Sequence, residues 1–346
     1  MNINDREINV DNEPYVIAEM SNNHNGSLER AYKLLHIAKN AKVDAVKIQT
    51  YTADSLTIDS NKRDFIITDD LWKGNTYYDF YSKISMPLDW NEKLFKYAEK
   101  IGITIFSSPF DEASVDLLEY LDSPAYKIAS FESKDLDFVK VIAKTNKPII
   151  FSTGVSTIDE VKATIDILKT YGSGNIGVLH CVSSYPAKII DMNLNFIQEL
   201  KKFGVEVGIS DHSLSLIPST VAISMGSSII EKHFTVDRSD DGSDSEFSLE
   251  PEELFDLKKN SIDVWKSLGS IKSIEKNRLG SQHARSLYFV KNLNFGDVIT
   301  GDCIRSIRPG FGLDPNLKGL VIGRKVKASV SVGDRVSMDL IEIEND

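Results

Sequence analysis

The chain has 346 residues, of which 41% are hydrophobic and 26% charged, a composition typical of a globular protein with room for one large domain and one small one. Its net charge of −11 argues against a general nucleic-acid or membrane-surface binder. The two cysteines, Cys181 and Cys303, are too few to predict a disulfide framework or a thiolate metal cluster. The sequence shows no basic segment followed by an apolar one at its start and no apolar run of membrane-spanning length, so we predict a cytoplasmic protein.

Buried strands and amphipathic helices alternate along most of the chain. Apolar runs predict eight strands, at Tyr15–Met20, Asp44–Gln49, Ile103–Phe106, Ala125–Ala129, Pro148–Phe151, Ile176–Cys181, Val205–Ile209 and Ser228–Ile230. Helical periodicity predicts helices at Leu28–Ala41, Asp89–Ile101, Glu112–Leu121, Leu136–Thr145, Ile158–Lys169, Leu194–Phe203, Leu214–Gly226 and Pro251–Leu268. Eight alternating units favour an α/β protein with a (β/α)8 TIM barrel.

A doubly wound open sheet is the alternative fold. Such a sheet would be expected to carry a glycine-rich phosphate-binding loop after its first strand, and the loop after Met20 has none. The segment Tyr51–Tyr81 interrupts the alternation and contains many Asp and Tyr residues. A long insertion of this kind predicts an active-site loop with short helical pieces.

The last part of the chain has a different pattern. Residues 271–284 are polar and aperiodic, which predicts a linker between a barrel domain at 1–270 and a C-terminal domain at 285–346. Short apolar runs separated by turns at Gly296-Asp297 and Gly333-Asp334 predict a small β-rich domain. That domain is too small to be the catalytic core.

Two histidines follow neighbouring predicted strands. His212 comes after Val205–Ile209, and His233 comes after Ser228–Ile230. A strand, a crossover helix and a second parallel strand bring the two carboxyl ends side by side, so both imidazoles can meet. A single histidine at a strand end is more often a structural hydrogen-bonding residue, but the pair predicts a metal site.

Polar side chains also end the other predicted strands. Lys47 and Lys127 stand between apolar residues, in V-K-I and Y-K-I, which is unusual for a surface lysine. Two lysines with several hydroxyls predict a pocket for an anion carrying phosphate and carboxylate groups. The residues at these ends are Glu19, Lys47, Gln49, Ser107, Ser108, Lys127, Ser130, Ser152, Thr153, Ser183, Tyr185, Ser210, His212, Glu231 and His233.

Two imidazoles with no evident third protein ligand leave positions for water and substrate. That arrangement favours octahedral Mn²⁺ or Mg²⁺ over a closed zinc site. Cys181 is a possible third ligand, although a small buried strand residue is its more common role. Five aspartates surround the histidines; most are interpreted as solvated loop charges, and one or two as residues that bind hydroxyls or water: Asp211, Asp237, Asp240, Asp241 and Asp244.

The motifs together resemble the sialic acid synthase family, whose members condense phosphoenolpyruvate with an N-acylated amino sugar. The resemblance covers nearly the whole chain and rests on AEMSNNHNGS, VKIQTY, FSSPFD, YKIAS, STG, SSYP, GISDH, EKHFT and IRPG. It implies that the C-terminal domain is an antifreeze-like (SAF) domain. It also implies a divalent metal, first of all Mn²⁺, with Mg²⁺ or Co²⁺ as alternatives.

Within the family, the sequence is most similar to the pseudaminic acid branch. The supporting stretches are YTAD at 51–54, LWKG at 71–74 and DGSDSEFSLEPEE at 241–253. Neuraminate synthases have Pro-Gly-Pro-Asp where this chain has Asp-Gly-Ser-Asp, Asn in place of Ser183, and Thr in place of Ser108. Legionaminate and N-acetylneuraminate synthesis are the alternatives within the family.

The resemblance implies a role for each strand-end residue. His212 and His233 would hold the metal, which polarises the aldehyde of the open-chain sugar. Lys127, Ser130, Ser152, Ser183 and Ser210 would bind phosphate, with Lys47 and Ser108 on the carboxylate; Glu19, Gln49, Tyr185 and Asp244 would face the sugar, with Glu19 also in proton transfer. Carbon 3 of phosphoenolpyruvate would attack the aldehyde, water would add at carbon 2, and phosphate would leave with C–O cleavage.

Arg308 resembles the family's sugar-binding arginine, which the C-terminal domain of a partner subunit delivers. The resemblance therefore implies a domain-swapped homodimer. Near the linker, neuraminate synthases place aromatic residues where this chain has Gln282-His283-Ala284-Arg285, so no N-acyl contact is assigned there. Two other classes remain as alternatives from the residues alone: a metal-dependent pyruvate aldolase or hydrolase, and a non-catalytic sugar-binding protein.

Overall fold

The computed structural model describes residues 1–68, 73–240, 242–269 and 278–342. The chain divides into two compact units, Met1–Leu268 and Gly269–Asp346. Residues 270–277, which contain the predicted domain boundary and half of the predicted linker, lie outside the described residues. So do Leu71 and Trp72 of the LWKG stretch and Asp241. The predicted domain limits therefore stay predictions.

The N-terminal unit contains a closed barrel of eight parallel strands, which confirms the (β/α)8 prediction. A short antiparallel hairpin of β1 (Asn2–Ile3) and β2 (Arg6–Glu7) precedes the barrel. The last barrel strand pairs with the first, which closes the ring. The barrel strands are β3 (Tyr15–Glu19), β4 (Ala45–Thr50), β5 (Thr104–Pro109), β6 (Tyr126–Ile128), β7 (Ile149–Ser152), β8 (Ile176–Cys181), β9 (Glu206–Ser210) and β10 (Ile229–His233).

Helices surround the barrel and pack their apolar faces on it. In α1 the buried residues Ala31, Leu34, Leu35 and Ala38 recur at helical spacing. The predicted cap Asp111 accepts a hydrogen bond from Ser114 N at 2.7 Å and so begins α5. The helices of this unit are α1 (Leu28–Asn40), α2 (Ala53–Leu56), α3 (Tyr77–Ile84), α4 (Asp89–Ile101), α5 (Glu112–Tyr120), α6 (Leu136–Ala143), α7 (Ile158–Tyr171), α8 (Phe196–Leu200), α9 (Ile217–Ser224) and α10 (Pro251–Leu268).

The barrel interior has an apolar lower layer. Ile3 and Ile8, from the hairpin and the residue that follows it, pack with strand residues such as Ile17 and close this end of the barrel. Side chains two positions apart on a strand point to the same face, so the next inward residue on each strand stands above this layer. The apolar layer consists of Ile3, Ile8, Tyr15, Ile17, Ala45, Phe106, Ala125, Ile150, Leu179 and Ile229.

Several predicted element bounds differ from the structure, and two of the differences concern the last barrel strand and the helix before it. The last barrel strand runs through Glu231 and Lys232 to His233, whereas the apolar pattern ends it at Ile230. A strand is predicted to end at charged residues because burying an unpaired charge is costly. Here Glu231 pairs with Lys47 and Lys232 pairs with Asp211 inside the protein. The predicted helix Leu214–Gly226 begins later, at Ile217, with Pro218 in its first turn.

The C-terminal unit has its own small core. Strand β11 (Ser286–Phe289) pairs antiparallel with β12 (Ile304–Ile307), and a short helix, α11 (Lys318–Val321), follows. Further pairing consists of isolated bridges such as Val298 with Lys325. This pairing agrees with a small β-containing unit. Within the described residues, no helix has both the length and the apolarity that crossing a bilayer requires.

A buried ion pair joins the two strands that carry the histidines. Lys232 Nζ lies 3.1 Å from Asp211 Oδ2, and both side chains are almost fully buried. Lys232 also donates to the carbonyls of Ser213 and Ser215. Asp211 accepts from the hydroxyl of Ser219 in α9 at 2.8 Å. The pair therefore connects β10, the turn after β9 and the helix between them.

We expect Lys232→Met to lower the free energy of unfolding by about 3–5 kcal/mol, because Asp211 would remain buried without its counter-charge. Urea denaturation followed by circular dichroism measures this loss. Lys259→Met is the matched control, since Lys259 forms an exposed pair with Asp263 at 2.9 Å, and we expect little change there. Adding Asp211→Asn to Lys232→Met should recover part of the stability. Equal losses in the Lys232 and Lys259 variants would contradict the prediction.

Candidate active site

A cavity of about 250 Å³ lies at the carboxyl ends of the barrel strands. This is the face on which (β/α)8 enzymes place their active sites. Most of the predicted site residues line it: Glu19, Lys47, Gln49, Lys127, Ser130, Ser152, Tyr185, Ser210, His212, His233 and Asp244. The structure therefore brings these eleven residues together, although they come from distant parts of the chain.

The floor of the cavity holds two buried lysines that share one carboxylate. Lys47 Nζ lies 3.0 Å from Glu231 Oε1, and Lys127 Nζ lies 3.9 Å from the same oxygen. Burial alone would raise the pKa of Glu231, but Lys127 and Lys47 lower it below its usual value. Burial lowers the pKa of Lys127 to about 8, although Glu231 favours its charged form. These three groups form the charged centre of the cavity.

Serine hydroxyls surround the lysines. Lys127 Nζ donates to Ser152 Oγ at 2.7 Å, and Ser210 Oγ donates to Glu231 Oε1 at 2.9 Å. Ser130 and Ser183 form a hydroxyl pair, 2.8 Å apart. Gly154 permits this pair, because a Cβ at that position would lie 2.0 Å from Ser183 Oγ. Ammonium groups and hydroxyls converging in this way make a site for phosphate and carboxylate oxygens.

Glu19 lies beside this charged centre. Its Oε2 is 3.3 Å from Lys47 Nζ, and its Oε1 accepts a hydrogen bond from Gln49 Nε2 at 2.8 Å. Burial raises the pKa of the Glu19 carboxyl above its ordinary value, and Lys47 offsets this only in part. A carboxyl of this kind can hold a proton near neutral pH and exchange it with a ligand.

The two histidines meet at the cavity, as predicted from the strand order. Their ring centroids are 5.3 Å apart, with the ring planes at 62°. His212 Nδ1 lies 2.9 Å from the carbonyl oxygen of Val182. Because a carbonyl only accepts, Nδ1 carries the proton and Nε2 is left as the nitrogen that can bind a cation.

His233 has the electrostatic character of a neutral ligand. Burial, together with the nearby His212 and Lys47, holds the pKa of His233 well below its usual range. Its Nδ1 is buried and makes no hydrogen bond to the described residues, and it lies 3.6 Å from Asp244 Oδ2. A neutral imidazole with an unused buried nitrogen fits a metal ligand.

The histidine pair therefore fits a divalent cation. Among the described residues, no group of three or more His, Cys, Asp or Glu side chains is arranged to hold a metal. The two imidazoles would need oxygen ligands from water or substrate to complete a coordination shell. Cys181 Sγ is 3.9 Å from His212 Nδ1. That nitrogen is hydrogen-bonded to the Val182 carbonyl, so the contact of Cys181 is not with Nε2, the nitrogen that can bind a cation.

The nearby aspartates have different roles. Asp244 is buried in the cavity wall, where burial raises its pKa and a hydrogen bond from Ser21 partly offsets this. Asp211 is held by Lys232, and Asp240 pairs with Arg30. Asp237 accepts from the Ser239 hydroxyl at 2.6 Å. Asp211 and Asp244 are buried and are therefore the exceptions to the general interpretation as solvated charges. Asp211 binds hydroxyl groups, and Asp244 lines the cavity.

Three predicted residues do not line the cavity: Ser108, Ser183 and Arg308. Ser183 is hydrogen-bonded to Ser130, which does line it. Ser108 lies on β5 beside Gln49, and its buried hydroxyl has no hydrogen-bond partner among the described residues. Arg308 lies in the C-terminal unit, directly after β12, near Arg285 and Arg305. The part of Arg308 in a shared site stays a prediction.

Sequence reasoning placed Glu231 at a strand end but assigned it no role. Its position two residues before His233 was the available signal, since both must then point to the same face. Glu132 also lines the cavity, with Oε2 buried and without a hydrogen bond to the described residues. Aromatic side chains from the insertion after β4 line the cavity as well. The length of the insertion predicted an active-site loop, but no role was assigned to its individual rings.

Comparison with known proteins agrees with these features. The family model described as the NeuB family matches residues 34–273. The chain is 42% identical to the pseudaminic acid synthase of Campylobacter jejuni, over 94% of this chain and 96% of that protein. It is 38% identical to the pseudaminic acid synthase of Helicobacter pylori, over 95% of this chain and 98% of that protein.

A solved structure is similar across most of the chain. It is the N-acetylneuraminic acid (sialic acid) synthetase of Leptospira borgpetersenii in complex with citrate, which superposes with a TM-score of 0.72 at 29% identity. The match covers 80% of this chain and 95% of that one. The chain therefore belongs to the NeuB family, the sialic acid synthase family that its motifs indicate.

Proposed function

We propose that this protein is a pseudaminic acid synthase, an enzyme that forms a C–C bond between phosphoenolpyruvate and 2,4-diacetamido-2,4,6-trideoxy-L-altrose and releases phosphate. The observation that carries the proposal is the joining, in one cavity, of a buried lysine and serine cradle with a pair of histidines. Members of the family use phosphoenolpyruvate and an N-acylated sugar and generally depend on a divalent metal. Both requirements match the chemistry of this cavity.

The cradle would bind phosphoenolpyruvate at its two anionic ends. Lys127, Ser152 and Ser210, with the pair Ser130 and Ser183, would bind the phosphate. Lys47 would bind the carboxylate, together with Ser108. Fixed donors of this kind hold the enol ether in one orientation and lower the entropic cost of reaction.

His212 and His233 would hold the divalent cation, for which we favour Mn²⁺ over Mg²⁺ or Co²⁺. When bound, the cation supplies Lewis acidity toward the carbonyl oxygen of the open-chain sugar. Gln49, Tyr185 and Asp244 would orient the sugar through their polar atoms. Glu19 would hold the proton that the new hydroxyl group needs.

The reaction forms one C–C bond and breaks one C–O bond. Carbon 3 of phosphoenolpyruvate forms a bond to carbon 1 of the aldehyde, whose oxygen takes up a proton. Water adds at carbon 2 of phosphoenolpyruvate and loses a proton. The bond from carbon 2 to the phosphate oxygen then breaks, so that inorganic phosphate leaves and a nine-carbon keto acid remains.

We also propose that the protein acts as a domain-swapped homodimer in which Arg308 of the partner subunit contacts the sugar. The support is the resemblance of the IRPG stretch to the family's C-terminal antifreeze-like domain. The cytoplasmic location stays a prediction.

We expect phosphate release from phosphoenolpyruvate only when an amino sugar is present, and fastest with 2,4-diacetamido-2,4,6-trideoxy-L-altrose. A panel with N-acetylmannosamine and the diacetamido precursor of legionaminic acid, with product masses, measures this preference. Faster turnover of either alternative sugar would reassign the protein to the corresponding synthase. Release of pyruvate without phosphate would favour an aldolase.

We expect His212→Ala and His233→Ala each to lower the affinity for Mn²⁺ at least about 10-fold, because each removes one of two protein ligands. Electron paramagnetic resonance of free Mn²⁺ during titration of the metal-free protein measures this affinity. His36→Ala is the matched control, since His36 lies in α1 and is hydrogen-bonded to Tyr97 of α4. Full activity and unchanged Mn²⁺ binding in the double variant would refute the assignment.

For the shared site, we expect a mixture of inactive His233→Ala and Arg308→Ala proteins to regain up to about a quarter of full activity, because half of randomly mixed dimers are heterodimers with one intact site of two. The control mixture combines His233→Ala with Lys127→Met. Both of these residues line the same cavity of one barrel, so exchange cannot restore a site. If subunits exchange but the first mixture stays inactive, Arg308 does not act across the dimer.

A further inference from the structure

One side of the cavity is apolar, in contrast to the charged floor. The apolar residues that line the cavity include Phe131 and Phe247 and six others, which we name the aromatic wall: Tyr51, Leu56, Phe80, Tyr81, Ile84 and Phe110. Five of the six come from the segment between β4 and α4, and α2 and α3 carry four of them. The predicted active-site insertion therefore supplies most of this wall.

The rings of the wall are held in place by one another. Tyr51 lies edge-on to Phe110, with ring centroids 5.3 Å apart, and to Tyr81 at 6.1 Å. Phe80 and Tyr81 are 5.4 Å apart. Tyr51 is 3% exposed, and its hydroxyl donates to Asn22 Oδ1 at 3.2 Å. Contacts of this kind give a preformed surface that costs little ordering when a ligand binds.

The helices that carry the wall are attached to the barrel. Thr52 and Ser55 form a capping box at the start of α2. Ser55 Oγ also donates to Asp111 Oδ2 at 2.6 Å, and Asp111 begins α5. The insertion is therefore tied to the strand end at β5, the strand from which Phe110 follows.

The wall and the floor suit different parts of a ligand. Lys47, Lys127 and the serines suit anionic oxygens, whereas the ring faces and aliphatic side chains of the wall offer dispersion contacts. The hydrogen-bonding groups of the wall side chains are the hydroxyls of Tyr51, which donates to Asn22, and Tyr81. A hydroxyl placed against such a surface loses its bonds to water without replacement. A methyl group placed there is removed from water at a gain.

We infer that the aromatic wall is the subsite that selects the sugar, by binding its apolar substituents: the methyl group of the 6-deoxy carbon and the methyl groups of the acetamido chains. This inference rests on the proposed function, because the acceptor sugar must extend from the histidine pair toward the wall. One methylene contact in an apolar pocket discriminates roughly 10–200-fold. A wall of six side chains is large enough to distinguish a trideoxy diacetamido sugar from a sugar with free hydroxyls at the same carbons.

The test compares two sugars and phosphoenolpyruvate in three wall variants: Phe110→Ala, Tyr81→Ala and Ile84→Thr. We expect kcat/KM for 2,4-diacetamido-2,4,6-trideoxy-L-altrose to fall roughly 10–100-fold in the two alanine variants, since each loses a ring contact. The loss with N-acetylmannosamine should be clearly smaller, because this sugar has one acetamido methyl group and no methyl group at carbon 6. The KM for phosphoenolpyruvate should stay within about 2-fold, because the anion cradle is unaltered. The rate of phosphate release measures kcat/KM for each sugar and the KM for phosphoenolpyruvate.

Ile84→Thr provides the test if an alanine variant fails to fold. Ile84 is only partly buried, so this smaller change should leave the fold intact. It adds a hydroxyl to the wall, so it should shift preference toward N-acetylmannosamine. Tyr120→Ala is the matched control, since Tyr120 is 78% exposed and does not line the cavity, and its kinetics should match those of the unaltered enzyme.

Equal losses with both sugars, or an increased KM for phosphoenolpyruvate of the same size, would mean that the wall only supports the fold and would overturn the inference. Unchanged kinetics with the trideoxy sugar in all three variants would overturn it as well. If the unaltered enzyme releases no phosphate with any amino sugar, the proposed function fails first and the inference fails with it.

Discussion

The buried contact between Glu231 and the two lysines is the interaction on which the site depends. Moving an ion from water into the protein interior costs several kcal/mol, so Lys47 and Lys127 need a carboxylate partner to stay charged there. Glu231 supplies it from β10, opposite the strand of Lys127 and two strands from that of Lys47, with its Oε1 3.0 Å from Lys47 Nζ. Burial raises the pKa of Glu19 to about 7, so near neutral pH this second carboxyl group offsets the lysines only in part. Two buried lysines therefore stand at the floor of the cavity in a chain whose net charge is −11.

The barrel makes this arrangement possible through the alternation of strand residues. Ile17, Ala45, Ala125 and Ile229 fill the apolar layer, and the next inward residue on each of their strands belongs to the charged layer above. The N-terminal hairpin packs on this apolar layer, on the side away from the charged groups. On the outer face of the last two strands, the pair of Lys232 and Asp211 fixes the turn that carries His212.

The cavity divides into a floor for anions and a wall for apolar groups. The floor is built from strand ends, whose positions the barrel sets within narrow limits. The wall is built mainly from an insertion between β4 and α4, a type of segment that can vary without disturbing the barrel. Under the proposed function, this division would let one fold keep the phosphoenolpyruvate chemistry while the acceptor sugar differs among relatives. Tyr51 directly follows β4 and Phe110 directly follows β5.

The sequence by itself determined the barrel, because eight apolar runs separated by helical periodicity leave few other folds. It also determined the candidates Lys47, Lys127, His212 and His233, since polar residues at the ends of buried strands need a partner or a ligand. Local pattern could not assign Glu231 its role, because that role depends on side chains from β4, β6 and β9. The closure of the barrel decided which charged side chains meet, and tertiary packing placed the rings of the insertion against the cavity. The sequence alone could not show either, because contacts between residues far apart in sequence leave no periodic pattern.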